Sequence, residues 1–299
     1  MSTQHPIIAV TGSSGAGTSD IKTAFEQIFE REGIAPALIE GDCFHRYDRV
    51  RMDEEVAKAR QRGGNLTHFG PEGNLFGELE AVFAEYAERG SGRRRYYIHN
   101  EQEAGRHGYP PGSLTPWEPL PADTDLLFYE GLHGGLVTDS ADVSRYVDLL
   151  IGVVPIINLE WIQKIQRDKA VRGYTAEDAT NMILNRMYDY VNYITPQFSR
   201  TDLNFQRVPT VDTSNPFAAE TIPGDDQSFT VIHIRNQRKV QVDLDQLLER
   251  LEGAFLSAPG TLVVPGRVRI LALQLIITPV VTHLIRARDE AREHHGSST

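Results

Sequence analysis

A glycine-rich turn between an apolar run and a helical pattern constrains this chain more than any other feature. The run Ile7–Val10 precedes the turn, and helical periodicity continues after it to Arg31. The turn fits the phosphate-binding pattern G-x-x-x-x-G-K-[ST] at its first, sixth and eighth positions. Glycines let backbone N–H groups surround a phosphate, and the helix N-terminus adds partial positive charge. The predicted phosphate-binding residues are Gly12, Ser13, Ser14, Gly15, Ala16, Gly17, Thr18 and Ser19.

The seventh position of this pattern departs from the usual lysine. It is occupied by Thr18, so the point charge that normally reaches the outer phosphates is missing. Either another cation supplies that charge, or the loop no longer binds a triphosphate. An ordinary Gly/Ser turn between strand and helix stays open for the loop taken alone. If the loop binds a nucleotide, the Ser19 hydroxyl is the expected Mg²⁺ ligand.

Composition narrows the classes of protein that fit. The chain has 299 residues and a net charge of −11, which argues against a nucleic-acid-binding surface because phosphate contacts need clustered cations. Its one cysteine, Cys43, excludes an intrachain disulfide and favours a reducing compartment. The most apolar stretch, Ile270–Leu284, contains polar residues and a proline, and we interpret it as a buried helix. We therefore expect a cytoplasmic protein without a membrane segment.

Strand and helix patterns alternate along the chain, which predicts an α/β fold with a mostly parallel sheet and helices on both faces. Continuous apolar runs indicate strands buried on both sides. The predicted strands are Ile7–Val10, Ala37–Glu40, Leu126–Tyr129, Leu149–Val154, Val208–Val211 and Phe229–Arg235, with a small antiparallel strand within Arg93–His99. The later predicted helices are Asn158–Arg172, Ala176–Thr195, Leu244–Leu256 and Val268–Arg288, followed by a frayed polar tail.

Two acidic residues follow predicted strands directly. Asp42 comes after the second strand and Glu130 after the run Leu126–Tyr129. In open α/β sheets ligands bind beyond the carboxyl ends of the strands. One carboxylate there can take a proton from an attacking hydroxyl while the other serves Mg²⁺. Either acid alone is as well explained by a helix cap or a turn.

A second informative stretch is Lys164–Glu177. On a helix Lys164, Arg167 and Asp168 lie within one turn of each other, and Arg172 falls one turn later. A solvated charged face is the plain interpretation of such a run. Because these cations precede a glycine-containing break between helices, they are also able to act as a lid over phosphates. Such a lid would supply the charge that Thr18 lacks.

These residues carry a resemblance to a known family. The stretch Lys164–Glu177 matches K-[LIVM]-x-R-D-x-x-x-R-G-x-[ST]-x-E at every specified position, and the loop with threonine resembles that of bacterial phosphoribulokinases. The segments Gly41–Arg46, Phe128–Gly134 and Val211–Phe217 are also similar. The chain is thus identified as a member of the phosphoribulokinase/uridine kinase family of P-loop kinases. The resemblance implies a three-layer, nucleotide-kinase-like domain over residues 1–299, with a polar tail at about residues 289–299.

The resemblance also implies roles for individual residues. Asp42 matches the base for the sugar hydroxyl, and Glu130 matches the acid that serves Mg²⁺ and ATP. Arg167 and Asp168 match residues needed for efficient transfer. The implied acceptor is ribulose 5-phosphate, bound by His45, Arg49, Lys164 and Arg172.

Regulation and assembly are further expectations from the resemblance. It implies a homo-oligomer, commonly an octamer, with NADH and AMP as effectors, and Arg31 and Arg235 resemble effector-site arginines. A further arginine expected near Ala258 is absent, and this departure from the family bears on the expected regulation but not on the expected reaction. Cys43 has no partner cysteine, so the thiol switch of plant-type members is missing.

Two other functions stay open at this point. A uridine-kinase-like phosphotransferase shares the loop, the acid after the second strand and the lid, but usually retains the loop lysine and does not need His45 or Arg49. A non-catalytic nucleotide sensor is favoured by the loss of the lysine. Retention of Asp42, Glu130, Arg167 and Asp168 together argues against it.

Overall fold

The computed structural model describes residues 4–13, 17–172 and 175–296, without the side chains of residues 19, 171, 172, 295 and 296. Its larger sheet has eight strands in the order β2-β5-β1-β6-β7-β8-β10-β9, and β3 and β4 pair separately. The strands are β1 Ile7–Thr11, β2 Pro36–Glu40, β3 Arg93–Arg94, β4 Glu118–Pro119, β5 Leu126–Gly131, β6 Leu149–Val153, β7 Leu203–Pro209, β8 Ser228–Ile234, β9 Phe255–Ala258 and β10 Thr261–Pro265. The helices are α1 Thr18–Glu32, α2 Arg49–Gln61, α3 Phe76–Arg89, α4 Glu101–His107, α5 Ile157–Arg172, α6 Ala176–Asp189, α7 Leu244–Arg250 and α8 Arg269–Gly296.

The parallel half of the sheet confirms the predicted α/β architecture. Strand β1 lies between β5 and β6, and all three run parallel, as do β2 beside β5 and β7 beside β6. Every residue of β1 is buried. A strand covered on both faces needs apolar residues at successive positions, which is why these strands are continuous apolar runs.

The antiparallel half differs from the sequence prediction in two places. The strand predicted at Val208–Val211 is β7, which begins at Leu203 and ends at Pro209. Its buried and less buried residues alternate at first, so it lacks the continuous apolar run of the parallel strands. The helix predicted over Leu244–Leu256 ends at Arg250, and β9 follows as the edge strand paired with β10. The backbone turns extended at Leu251, with a φ of −110° and a ψ of 96°, and this ends the helix; Gly253, with a φ of 77°, lies in the turn that leads into β9.

Helices cover both faces of the sheet. On one face, buried residues of α1, α7 and α8 pack in a single core with the strands, including Phe25, Phe128 and Ile276. On the other face, α3 packs through Leu79 and Phe83. The sheet is therefore fixed from both sides, and its carboxyl edge carries the loops after β1, β2 and β5.

The C-terminal helix corrects the prediction of a frayed polar tail. Helix α8 continues to Gly296, and Arg288 forms an ion pair with Asp125. Arg292 donates from Nε to the backbone oxygen of Gln4 at 3.2 Å. These contacts attach the polar end of the helix to the segment before β5 and to the start of the chain.

The same helix is longer than the apolar stretch seen in the sequence. By length and composition α8 is apolar enough to cross a membrane. Its residues Ala272, Ile276 and Val281 are 0% exposed and belong to the core shared with α1. We therefore interpret α8 as a core helix, as the sequence predicted for Ile270–Leu284.

The packing of α8 gives a stability prediction. We expect Ile276→Ala to lower the free energy of unfolding by about 2–5 kcal/mol, because it removes a fully buried side chain and leaves a cavity. Leu271→Ala, on the same helix but 42% exposed, should cost about 1 kcal/mol or less. Urea unfolding of both variants measures the difference. Equal losses would mean that this face of α8 is not a packed core.

Candidate active site

The carboxyl ends of three strands converge at one edge of the sheet. The turn after β1 is attached to β5, since Gly12 donates its N–H to the oxygen of Gly131 at 3.1 Å. Glu40 of β2 is in register with Glu130 of β5. The segment that carries Asp42 therefore begins beside Glu130, as the sequence predicted.

Two glycines allow the loops to approach. A Cβ on Gly41 would lie 2.5 Å from the Tyr129 hydroxyl and 2.9 Å from the Cα of Gly131. A Cβ on Gly131 would lie 2.7 Å from the Cα of Gly41. Such distances are too short for a methyl group, so any larger residue would separate the two loops. The approach brings Asp42 and Glu130 to the same side of the sheet.

Asp42 lies between two histidines. It belongs to a single helical turn, Gly41–Phe44, directly after β2, and its side chain is about one third exposed, at 38%. The His45 Nε2 lies 3.3 Å from one carboxylate oxygen, and the His99 Nε2 lies 3.4 Å from the other. Both oxygens of Asp42 therefore have a fixed orientation while the group stays open to a ligand.

His45 is buried rather than a surface cation. Its ring packs 4.3 Å from the ring of His68 and 5.4 Å from that of Tyr97. Burial lowers the pKa of His45, with the Asp42 charge opposing the effect. The imidazole is thus neutral near pH 7, which revises the sequence interpretation of His45 as a phosphate-binding cation. Its Nδ1 is fully buried and has no hydrogen-bond partner in the described part of the chain.

Glu130 sits in an acidic environment. Burial raises the pKa of Glu130, and the neighbouring charges of Asp42 and Glu40 raise it further. A hydrogen bond from Thr18 lowers it, as does Lys22, whose Nζ lies 2.6 Å from Glu40. Thr18 therefore binds the acid of the site directly, from the position where a lysine is usual.

These carboxylates fit Mg²⁺ as a ligand set. Mg²⁺ prefers hard oxygen ligands and is usually held by one or two carboxylates together with substrate phosphates. No group of three or more acidic, histidine or cysteine side chains suited to a metal occurs among the described residues. A divalent cation would relieve the repulsion among Glu40, Asp42 and Glu130.

The first and last residues of the predicted phosphate-binding loop lie within the described part of the chain. Gly17 has a φ of 96°, a left-handed conformation that glycine adopts readily, and α1 begins at the next residue. Ser13 is buried and donates its hydroxyl to Glu160. The predicted residues Ser14, Gly15 and Ala16, and the side chain of Ser19, lie outside the described residues.

The cationic stretch forms helix α5 as predicted. Lys164 and Asp168 form a buried ion pair, and Arg167 lies 3.4 Å from the other oxygen of Asp168. Burial lowers the pKa of Lys164 to about 8, helped by the charge of Arg186. The side chain of Arg172 is outside the described residues. The structure thus joins three of the four predicted residues of this stretch.

Three further predicted arginines lie on other elements than α5. Arg49 is exposed at the first residue of α2. Arg31 donates to the Thr278 hydroxyl on α8 at 2.8 Å, whereas Arg235 donates to the Ser199 oxygen at 2.8 Å. The structure therefore attaches the two candidate effector arginines to different elements.

The sequence analysis missed several residues of this site. His99 comes from a distant loop, and no sequence pattern connects it to Asp42. Arg95 donates to the oxygens of Cys43 at 2.7 Å and His45 at 2.6 Å, and so holds the turn that carries Asp42. Glu160 precedes Lys164 by one helical turn, a spacing that placed it on the same helix face.

A parallel sheet with a phosphate-binding loop after its central strand and an acid after the neighbouring strands defines the P-loop kinases as a class. The model of the Phosphoribulokinase / Uridine kinase family matches residues 7–214, and the chain belongs to this family. The chromosomal phosphoribulokinase of Cupriavidus necator is 56% identical over 294 residues, covering 98% of this chain and 100% of that protein. The phosphoribulokinase of Nitrobacter vulgaris is 54% identical over 289 residues, covering 96% and 99%. The solved phosphoribulokinase from Rhodobacter spheroides superposes with a TM-score of 0.88 at 49% identity, covering 96% of this chain and 100% of that one.

The contribution of the two Arg95 hydrogen bonds to the stability of the turn that carries Asp42 can be tested. We expect Arg95→Met to lower the free energy of unfolding by about 1.5–3 kcal/mol, because two buried carbonyl groups lose a charged donor. Arg93→Met is the matched control, since Arg93 also stacks on Trp117 but its ion pair with Glu78 is exposed. That variant should lose about 1 kcal/mol or less. Thermal unfolding that shows equal losses would remove Arg95 from the support of this turn.

Proposed function

We propose that this chain transfers the γ-phosphate of ATP to the 1-hydroxyl of D-ribulose 5-phosphate, giving ribulose 1,5-bisphosphate and ADP for carbon fixation in the Calvin cycle. The observation that carries the assignment is full-length similarity to phosphoribulokinases together with an oriented, accessible carboxylate at Asp42. The same similarity argues against a uridine-kinase-like activity. An oriented base has no use in a non-catalytic nucleotide sensor.

Asp42 acts as the general base in this proposal. Its carboxylate accepts the proton of the 1-hydroxyl as that oxygen attacks the γ-phosphorus, and the bond to the ADP oxygen breaks. His45 and His99 hold the two carboxylate oxygens, so that one lone pair stays directed at the acceptor. Such positioning lowers the barrier because the reacting groups need no reorientation.

Charge on the transferred group requires cations. Mg²⁺, when bound, neutralises charge on the phosphates, and Glu130 and Ser19 are the residues we assign to it. Lys164 and Arg167 of α5 supply the charge that Thr18 cannot, while Asp168 holds both cations in place. Backbone N–H groups from Gly12 to Ser19 bind the ATP phosphates, as the loop pattern indicates.

The acceptor phosphate needs its own contacts. We assign them to His45, Arg49, Lys164 and Arg172. The one N–H of the neutral His45 imidazole points to Asp42, so its Nδ1 can only accept a hydrogen bond, from a sugar hydroxyl, while the arginines and the lysine offer charge to the phosphate.

Assembly, regulation and location are part of the same proposal. We infer a cytoplasmic homo-oligomer, with octamer as the expected size, and NADH and AMP as effectors acting through Arg31 and Arg235. The alanine at position 258, where an effector-site arginine was expected, makes a weak response to these nucleotides the expected outcome.

The reaction and the base are tested together. We expect ADP release with ribulose 5-phosphate and Mg²⁺–ATP, and little with uridine. Asp42→Asn should lower kcat by at least about a hundredfold, because the amide cannot accept the proton, and should leave ATP binding unchanged. A coupled ADP assay and calorimetric titration with ATP provide both numbers. Near wild-type turnover in the variant would exclude Asp42 as the base, and preference for uridine would overturn the substrate assignment.

The lowered pKa of Lys164 predicts a pH dependence. Lys164 is cationic below its pKa of about 8 and neutral above it, so its attraction for the acceptor phosphate is lost as pH rises through that value. We expect KM for ribulose 5-phosphate to rise by up to about tenfold between about pH 7 and pH 9. Lys164→Arg should abolish the rise, because arginine stays charged. The same rise in both proteins would assign it to another group.

A further inference from the structure

A buried carboxylate lies directly behind the phosphate-binding loop. Glu160 of α5 is only 7% exposed. One of its oxygens accepts a hydrogen bond from the Ser13 hydroxyl, and the other accepts one from the Tyr190 hydroxyl at 3.1 Å. Ser13 and Tyr190 are themselves buried, at 1% and 7% exposure. The three side chains form a buried polar cluster, to which the phosphate-binding loop contributes the side chain of Ser13.

An acid at this place is costly. Burial raises the pKa of Glu160, and only the two hydrogen bonds and the charge of Lys164 act in the opposite direction. Burial and the charge of Glu160 also raise the pKa of Tyr190, which keeps its hydroxyl a donor. An apolar side chain would fill the same space without a desolvation penalty. We therefore attribute to the Glu160 carboxylate a role that depends on its two hydrogen bonds, which an apolar residue would not form.

The spacing of charged residues along α5 indicates what this role is. Glu160, Lys164 and Asp168 follow one another at intervals of four residues, so they lie on one face of the helix. With a rise of about 1.5 Å per residue, Lys164 lies about 6 Å and Asp168 about 12 Å beyond Glu160 along the axis. A hydrogen bond from Ser13 to Glu160 consequently fixes the rotation of α5 and the direction of the Lys164–Asp168 pair.

The second hydrogen bond brings in the neighbouring helix. Tyr190 begins a wide π-type turn, Tyr190–Ile194, directly after α6. The preceding residue, Asp189, accepts a hydrogen bond from Thr67 at 2.6 Å. The loop of Thr67 also carries His68, which stacks on His45. Glu160 thus joins the phosphate-binding loop, α5, and the end of α6 that leads toward the Asp42 side.

We propose that Glu160 is a positioning residue for phosphoryl transfer, which through Ser13 and Tyr190 orients the Lys164–Asp168 face of α5 and the end of α6 toward the phosphate-binding loop. This inference rests on the proposed function. It assigns Glu160 no contact with substrate. Its effect belongs to the transition state, where correct orientation of the α5 cations matters most.

Single atoms can be removed from the cluster to test this. Tyr190→Phe deletes one hydroxyl, and Glu160→Gln keeps the shape but replaces one acceptor oxygen with a donor. The control is Tyr188→Phe, two residues earlier and 72% exposed. We expect Tyr190→Phe to lower kcat about three- to thirtyfold with KM for ATP changed less than twofold, and the control to match the wild type.

A double-mutant comparison of kcat distinguishes a positioning role of Glu160 and Tyr190 from a purely structural one. If Glu160 and Tyr190 act through their shared hydrogen bond, Glu160→Gln combined with Tyr190→Phe should lower kcat little more than the stronger single variant. Effects on kcat that multiply independently, or variants with lowered unfolding temperature but wild-type kcat at 25 °C, would overturn the proposal.

Hydrogen exchange provides a readout without turnover. Amides of α5 should become more protected when Mg²⁺–ATP is added to the wild type, and that gain should fall in Tyr190→Phe but not in Tyr188→Phe. Equal gains in amide protection in all three proteins would overturn the proposed coupling of α5 to the phosphate-binding loop through Glu160. If the wild type turns over no sugar phosphate, the proposed function fails. The exchange measurement still decides whether Glu160 and Tyr190 couple α5 to the phosphate-binding loop.

Discussion

The near contact of Gly41 and Gly131 is the constraint on which the rest of the site depends. Their backbones meet where β2 and β5 end, at distances that leave no space for a Cβ on either residue. Because the two strands are parallel and in register, this contact brings Glu40, Asp42 and Glu130 to one edge. Gly12 donates to the oxygen of Gly131, so the phosphate-binding loop starts at the same place. The proposed base, the proposed metal ligand and the phosphate-binding loop therefore share a single backbone junction.

Collecting acids at this junction has an electrostatic cost that shapes the surrounding residues. Asp42 and Glu40 raise the pKa of Glu130, and the protein compensates with the Thr18 hydroxyl and with Lys22, one turn further along α1. The missing loop lysine is understandable in this setting. A lysine at position 18 would bind Glu130 and compete with the cation that the phosphates bring. In our proposal the remaining charge comes from α5, whose orientation we attribute to Glu160.

Local patterns in the sequence predicted the parts of this arrangement that depend on local structure. The parallel strands, the loop, the acids at strand ends and the face of α5 all follow from periodicity and spacing. Contacts between distant segments carry no such pattern, so His99, Arg95 and the Ser13–Glu160–Tyr190 cluster appeared only in the structure. The start of the edge strand β9 was mistaken for helix because apolar residues continue at helical spacing after Arg250, although the backbone is already extended at Leu251. The end of α8 looked like a tail because its polar residues bind the start of the chain rather than the core.

A crystal structure with ADP, Mg²⁺ and ribulose 5-phosphate bound would test the central claim most directly. That claim is that the junction of β2 and β5 presents Asp42 to the acceptor hydroxyl and Glu130 to the metal. The account predicts an Asp42 oxygen within about 2.6–3.2 Å of the 1-hydroxyl oxygen, with Glu130 bound to Mg²⁺ directly or through one water. It also predicts that His45 and His99 keep their contacts with Asp42. A hydroxyl bound on the far side of α5, beyond reach of Asp42, would contradict the account.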